Sequence, residues 1–490
     1  MPEVSRARRA NAVPPETSLS RQIRTGFGWS LGNMVAARAI SLASGVVLAR
    51  ILAPRDYGVF AIALVATDLL MSVNDAGLIA AIVRYPGDVR LPAQTAFTLT
   101  LAASGVLYAL AFLAAPVFAN AFHAPDAAAV VRLLAVAILI DGVSAVPSGL
   151  LTRGLRQDLR ALGDISGLIV LVTVSTSLAF MGFGVWSLAW GRLAGNGAAA
   201  ALFIWLSPFR IWPGFSRSEA SKLLDFGLPM AGASLVTFAL LNLHYVIVGG
   251  ILGPVELGFY VLAFNLSSWP VGLLSQAAQR VSLAGFSRLV TDRDALRRAF
   301  TKSTLLLLAA TVLACLLLSI LAQPLVHVLY GSRWGHSVEA LRFLAVLAAV
   351  RVAANLIQDL LAALGRSRQV FGLQVSWVML LVPALFVGTH LGGIMGASIG
   401  QAMVAVAVIP VFLLAVHHAG IGVQELLTQL PWLAFAAATA ATAGLLLMHV
   451  VSGEVTQLLA VGPLATAIFS AIAMAAPGLR PTLHPRAWIT

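Results

Sequence analysis

The chain is 490 residues long and 59% hydrophobic, with only 10% of its residues charged, yet its formal net charge is +12. Soluble domains are roughly 25% Asp, Glu, Lys and Arg, so a soluble enzyme and a disordered chain are both excluded. The single cysteine, Cys315, excludes disulfides, Cys-ligated zinc and iron–sulfur clusters, and with them a disulfide-stapled secreted domain.

In chain order, residues 1–26 are polar, carry Arg6, Arg8, Arg9, Arg21 and Arg24, and lack the apolar core of a signal peptide. They read as a disordered cytoplasmic tail. Fourteen apolar segments follow, near 27–49, 57–82, 95–118, 128–151, 162–183, 186–206, 226–250, 257–280, 303–329, 338–361, 370–389, 392–416, 430–450 and 457–476. Among the stretches that hold no Asp, Glu, Lys or Arg are Leu91–Pro125, Phe226–Val255, Ser303–Ser332 and Gln369–Gln424. Charge-free apolar runs of about 18 residues or more span a bilayer, and they do so as helices, which satisfy every backbone polar group internally. The fold class is therefore an all-α polytopic membrane protein with about fourteen transmembrane helices. The longest links, 207–225 and 281–302, are too short to house a soluble catalytic domain.

Basic residues orient the spans. The N-tail, the links after segments two, four, six, eight and ten, and a C-tail at 477–490 hold 23 of the 31 Lys and Arg residues; the opposite links hold only Arg50, Arg55 and Arg333. Positive charge accumulates on the cytoplasmic side, so both termini are expected there and the number of spans is even. The remaining five, Arg38, Arg132, Arg192, Arg342 and Arg351, fall inside spans.

A repeat organises the chain. Leu52-Ala53-Pro54-Arg55-Asp56-Tyr57-Gly58 follows span one, and Leu252-Gly253-Pro254-Val255-Glu256-Leu257-Gly258 follows span seven. Phe27-Gly28 and Phe226-Gly227 precede them. Locally, Pro presets a helix-to-helix turn and Gly occupies a place a side chain would block. The repeat unit is six spans, so both copies share one orientation, as in two-lobed transporters that rock about a central site. The expected layout is a first lobe at 27–206, a cytoplasmic linker at 207–225, a second lobe at 226–416 and two further helices within 417–476.

The stretch from Gly28 to Tyr85 contains Trp29-Ser30, the run Leu48 to Gly58, Asp75-Ala76-Gly77-Leu78 and Ile82-Val83-Arg84. It resembles the N-terminal signature of bacterial polysaccharide exporters, the Wzx-type oligosaccharide flippases. These belong to the multidrug/oligosaccharidyl-lipid/polysaccharide exporter superfamily, with lipid II flippases and MATE drug antiporters as cousins. The resemblance implies two six-helix lobes forming a V around a cavity lined mainly by spans one, two, seven and eight. It implies alternating-access export of an undecaprenyl-diphosphate-linked oligosaccharide across the inner membrane, for lipopolysaccharide or exopolysaccharide assembly. Expected partners are that substrate, membrane lipids, and a polysaccharide polymerase with its chain-length machinery.

Ionisable groups inside spans are the candidates for chemistry, since each costs about 2.5–3.5 kcal/mol at mid-bilayer on insertion scales. Arg38 lies midway along span one, near Asn33. Asp68 and Asp75 lie seven residues apart in span two, close to one helical face. A diphosphate would take the fork of donors on Arg38, and sugar hydroxyls would take Asp68, Asn33 and Asp75. A pairing of Arg38 with Asp68 or Asp75 that merely joins two helices fits the same residues; the resemblance favours Arg38 as phosphate anchor, because related lipid II flippases use cavity arginines. Arg280, at the mouth of span eight, adds a capture point for the diphosphate in a link that also fits plain positive-inside topology.

Asp359 and Arg351 in span ten, and Asp141 and Arg132 in span four, hold equivalent places in the repeat. They read as inter-helix glue, with proton or cation coupling as the alternative. His244 in span seven reads as hydrogen-bonded packing, and Gly392, Gly396 and Gly400 as a close-packing ladder.

No enzyme activity, catalytic residue, cofactor or metal is expected. No G-x-x-x-x-G-K-[ST] loop and no H-E-x-x-H occurs, and His417-His418 lacks a third ligand. Basic residues spread over every inner link, so nucleic acid is not a partner. Two alternatives remain: a MATE-like drug/cation antiporter in which Asp68 or Asp359 binds Na⁺ or H⁺, and a membrane-embedded polymerase or ligase of lipid-linked glycan, which would want a large outer loop.

Overall fold

The computed structural model describes residues 39–289 and 291–475, and no side chains at 73–76, 233, 240, 270, 271, 273–285 and 288. The expected tails at 1–26 and 477–490, and the first part of span one, lie outside the described residues. The rest is helical: α1 (Ala39–Ile51), α2 (Pro54–Arg84), α3 (Arg90–Ala121), α4 (Ala127–Arg153), α5 (Gln157–Phe180), α6 (Val185–Leu206), α7 (Arg217–Leu289), α8 (Arg293–Ile320), α9 (Ala322–Tyr330), α10 (Ser337–Ala363), α11 (Ser367–His418), α12 (Gln424–Val450) and α13 (Glu454–Ala475). Among the described residues, ten helical segments are long and apolar enough to cross a membrane, and no strand occurs. The chain is an all-α, multi-pass membrane protein.

Two helices each carry two of the expected spans. α7 bends at Gly253 (φ 78°, ψ −175°) and α11 at Gly392 and Gly393, the latter with φ 57° and ψ −141°. Glycine enters that region without the Cβ penalty. The expected ladder is thereby corrected at one rung: Gly392 is part of the turn, and a Cβ there would meet nothing. Gly396 instead lies against the backbone of Gly388 and Gly400 against that of Ala384, so the two arms of α11 pack backbone to backbone.

Side-chain size sorts inward and outward faces. α3 buries Ala93, Ala96, Ala111, Ala115 and Ala119, while Val106, Leu113 and Val117 stay largely exposed. In lipid, tails solvate large apolar groups as well as a core would, so helices associate through small residues that let backbones approach. The same rule joins α5 to α6: a Cβ on Gly167 would lie 2.9 Å from the Gly195 carbonyl oxygen, and a Cβ on Gly195 would lie 2.7 Å from that of Gly167.

By contact the chain forms two compact units. Of the described residues, one comprises 39–52, Ala63–Asn120 and Pro125–Ala239; the other comprises Ala53–Ile62, Ala121–Ala124 and 240–475. In the first unit, Leu78, Ile82, Ala93, Val146, Leu150 and Leu223 pack α2, α3, α4 and the start of α7 together. Arg153, at the end of α4, donates to the carbonyls of Ile82 at 3.2 Å, Gly87 at 3.0 Å, and Tyr85. These carbonyls lie at and just beyond the end of α2, where a cation is favoured by the helix dipole. Arg153→Ala is expected to destabilise the protein by about 1.5–3 kcal/mol, the range for hydrogen bonds to a charged group. Thermal unfolding in detergent reads the loss, and an unchanged midpoint would remove Arg153 from this role.

In the second unit the two copies of the Pro-x-acid-x-Gly motif meet. A Cβ on Gly58 would run into the carbonyl of Pro254, and a Cβ on Gly258 into that of Pro54. Asp56 caps its own turn by accepting from the Ala53 N–H at 3.0 Å. Trp334, fully buried, presents edge-on contacts to Tyr57 (ring centroids 5.3 Å apart) and Phe259 (5.9 Å), and Ser337 Oγ donates to the Phe259 carbonyl at 2.8 Å. Elsewhere in this unit α12 and α13 lie against α8 through Leu305, Ala309, Leu433, Ala436, Ala465 and Phe469. Cys315 is buried between α8 and α10 beside Ala345, Ala348 and Val352.

Candidate functional site

Charge inside a span needs a partner or water, and the first unit shows one such arrangement in full. Asp68 sits near the middle of α2, and Arg192 lies inside α6. Arg192 Nη2 donates to Asp68 Oδ1 at 3.2 Å, across a sequence separation of 124 residues. The two side chains remain 34% and 35% exposed. That exposure separates the pair from a sealed ion pair in a packed core, where burial would be near complete. A guanidinium offers five N–H donors and a carboxylate about four acceptor sites. The single bond between them leaves most of both sets without a partner among the described residues. Such a pair can hold two helices and still present donors and acceptors to a hydroxyl-rich or anionic ligand.

The second unit holds a cation of another kind. Arg351, in α10, places its guanidinium 5.7 Å from the centre of the Phe264 ring. His244 stacks on the same ring at 4.2 Å and lies beside Tyr245 at 4.1 Å, and Tyr260 accepts a hydrogen bond from the Gln401 amide. His244 is 4% exposed, and its Nε2 has no hydrogen-bond partner among the described residues. The ring is packed through aromatic faces, and the hydrogen bond expected of it is not made at Nε2 among the described residues.

Of the expected site residues, Asp68 is the one whose ion pair is visible. Arg38 and Asn33 lie outside the described residues, as do the side chains of Asp75 and Arg280. Asp141 and Asp359 are half-buried on α4 and α10. Their sequence neighbours Arg132 and Arg351 both bridge helices through aromatic residues: Arg132 Nε donates to the Phe112 carbonyl at 3.2 Å and its guanidinium lies 4.7 Å from the Phe112 ring centre. Sequence reasoning assigned Arg192 no role. The signal was present, since an arginine in a span calls for an anion and few carboxylates fall in the spans of that lobe.

Outside the spans, Lys222 Nζ donates to Glu219 Oε1 at 2.8 Å and the Tyr85 hydroxyl donates to Glu219 Oε2 at 2.5 Å. These two donors hold the Glu219 carboxyl below its ordinary range, while Glu219 raises the Tyr85 hydroxyl. The triad ties the exit of α2 to the start of α7.

Four similarities bear on the family and fold of the chain. A family model described as "Polysaccharide biosynthesis protein" matches residues 47–339. The lipopolysaccharide biosynthesis protein WzxC of Escherichia coli (strain K12) is 26% identical over 398 residues, 79% of this chain and 80% of that protein. The succinoglycan biosynthesis transport protein ExoT of Rhizobium meliloti (strain 1021) is 24% identical over 400 residues, 80% and 78% of the two chains. Among solved structures, the lipid II flippase MurJ in an inward closed conformation matches the fold with a TM-score of 0.74 at 14% identity, covering 92% of this chain and 99% of that one.

Proposed function

The chain belongs to the polysaccharide biosynthesis protein family, and from that premise we propose that it flips an undecaprenyl-diphosphate-linked oligosaccharide across the bacterial inner membrane by alternating access. The reading places both termini in the cytoplasm and takes 27–206 and 226–416 as the lobes that rock. Its substrate class is supported by the named roles of the relatives in lipopolysaccharide biosynthesis and succinoglycan transport. The observation that carries it is the Asp68–Arg192 pair, about one-third exposed, a polar site within apolar helices. In this reading Arg38 anchors the diphosphate, Asp68, Asn33 and Asp75 contact sugar hydroxyls, and Arg280 captures the headgroup at the mouth of its span. Arg351, Asp359 and Asp141 are the residues through which an ion gradient would couple. A polysaccharide polymerase and chain-length machinery would receive the product.

An outer-leaflet accessibility assay for lipid-linked repeat units in a deletion strain tests the function. Loss of outer exposure is expected. Normal exposure with unpolymerised units would instead identify a polymerase, and full exposure with altered drug sensitivity an antiporter. Within the same strain, Arg38→Ala is expected to abolish complementation at normal protein levels. Full rescue would sink the anchor assignment while leaving the flippase reading intact.

A further inference from the structure

The second unit contains an apolar cavity of about 190 Å³ between α8, α10, α11 and the start of α12. Thr304, Leu308 and Val312 line it along one stripe of α8, opposite Ala353, Trp377 and Phe412. The stripe runs eight residues, roughly 12 Å at 1.5 Å rise per residue, so the cavity is elongated along the helices. Its lining is apolar except for the hydroxyl of Thr304, which is buried and has no partner among the described residues. A site of this kind does not retain water, which needs about 2–4 polar partners; it takes an apolar chain. Leu308, Val312, Ala353, Trp377 and Leu413 keep partial exposure, so the cavity is not a sealed packing defect.

One end of this cavity is ringed by cations. α8 and α12 begin there, α10 ends there, and α11 has both its ends there. Arg293 donates to the Ala419 carbonyl at 2.8 Å and Arg366 to the His418 carbonyl at 2.9 Å, which fixes the 417–422 link against the starts of α8 and α11. Arg297, about half exposed, lies seven residues before Thr304 on α8, about two turns, and so on the face of the helix that lines the cavity. Arg297 has only a loose partner, Asp294 at 3.8 Å. Basic pockets between transmembrane helices bind anionic lipid headgroups, and here the cations stand at one end of a chain-shaped apolar cavity.

We propose that this cavity and its basic rim form a binding site for an anionic phosphoglycerolipid, with one acyl chain lying between Thr304 and Val312 and the phosphate held by Arg297. The site is built from the second unit alone and is independent of the translocated substrate. Such a lipid would wedge α12 against α8 and α11 and make the stability of this unit depend on the surrounding bilayer.

Brominated phosphatidylglycerol and brominated phosphatidylcholine, offered to the purified full-length protein in nanodiscs, provide the test. The Trp377 share of the fluorescence is the difference between wild type and Trp377→Phe, a conservative change in an aromatic contact with Phe412. That share is expected to be quenched roughly threefold more by the anionic lipid, and Arg297→Gln should erase the preference. Native mass spectrometry should show phosphatidylglycerol retention falling about tenfold in Ala353→Phe, which fills the cavity. Equal quenching by both lipids, or none, would overturn the proposal. So would displacement of phosphatidylglycerol by undecaprenyl diphosphate, which would assign the cavity to the translocated lipid.

Discussion

Arg192→Gln and Asp68→Asn are each expected to cut outer-leaflet delivery of the lipid-linked glycan by roughly tenfold or more. Either change strands a charge inside a span, which costs about 2.5–3.5 kcal/mol on insertion scales, and about 1.4 kcal/mol is already a factor of ten. The pair is a third exposed, so solvent relieves part of that cost and the lower end of the range applies. The informative variant is Asp68→Asn with Arg192→Gln together, which removes both charges and leaves none stranded. Protein levels and thermal stability should return towards wild type in the double variant, because paired removal is far milder than single removal. Export should not return, since the charged donors and acceptors offered to substrate are still missing, and neutral amides stand in their place. Recovery of export along with stability would reduce the pair to a helix clamp.

Gly58→Val and Gly258→Val are expected to be the most damaging single changes in the second unit. Overpacking a core costs about 1–3 kcal/mol when side chains can move aside. Here the obstacle is the carbonyl of Pro254 or of Pro54, and a backbone cannot rotate away. Each variant should lose most of its monodisperse protein on size exclusion after mild heating. Gly105→Val serves as the control, because a Cβ at Gly105 meets nothing within 4 Å. If the three variants behave alike, the contact between the motif copies contributes nothing to the fold.

This junction also marks how far the sequence could be read. The two motif copies are recognisable as a repeat, and their Pro and acid as turn-formers, because those are local properties of a few residues; the cap from Asp56 to Ala53 is one such property. Local reasoning gives the glycine the role of relieving its own turn. In the fold Gly58 and Gly258 each make room for the other copy, a contact between residues 196 and 204 positions apart in the chain that no window of sequence displays. The helices themselves were legible for the opposite reason: a bilayer forces long apolar runs into helices whatever their neighbours do. Gly392 was harder: a break between spans is expected near it, but in a charge-free run the glycine reads equally well as a rung of a packing ladder. The partner of Asp68 was hidden in the same way as the glycine contact, by a separation of 124 residues.

The placement of Cys315 has a practical side. It is the chain's one thiol, and it is buried between α8 and α10 among alanines and a valine. A maleimide applied to intact cells would find it shielded, so the native sequence already serves as its own cysteine-free background. Single cysteines placed in successive links can then report which face of the bilayer each one occupies, without first engineering the native residue away.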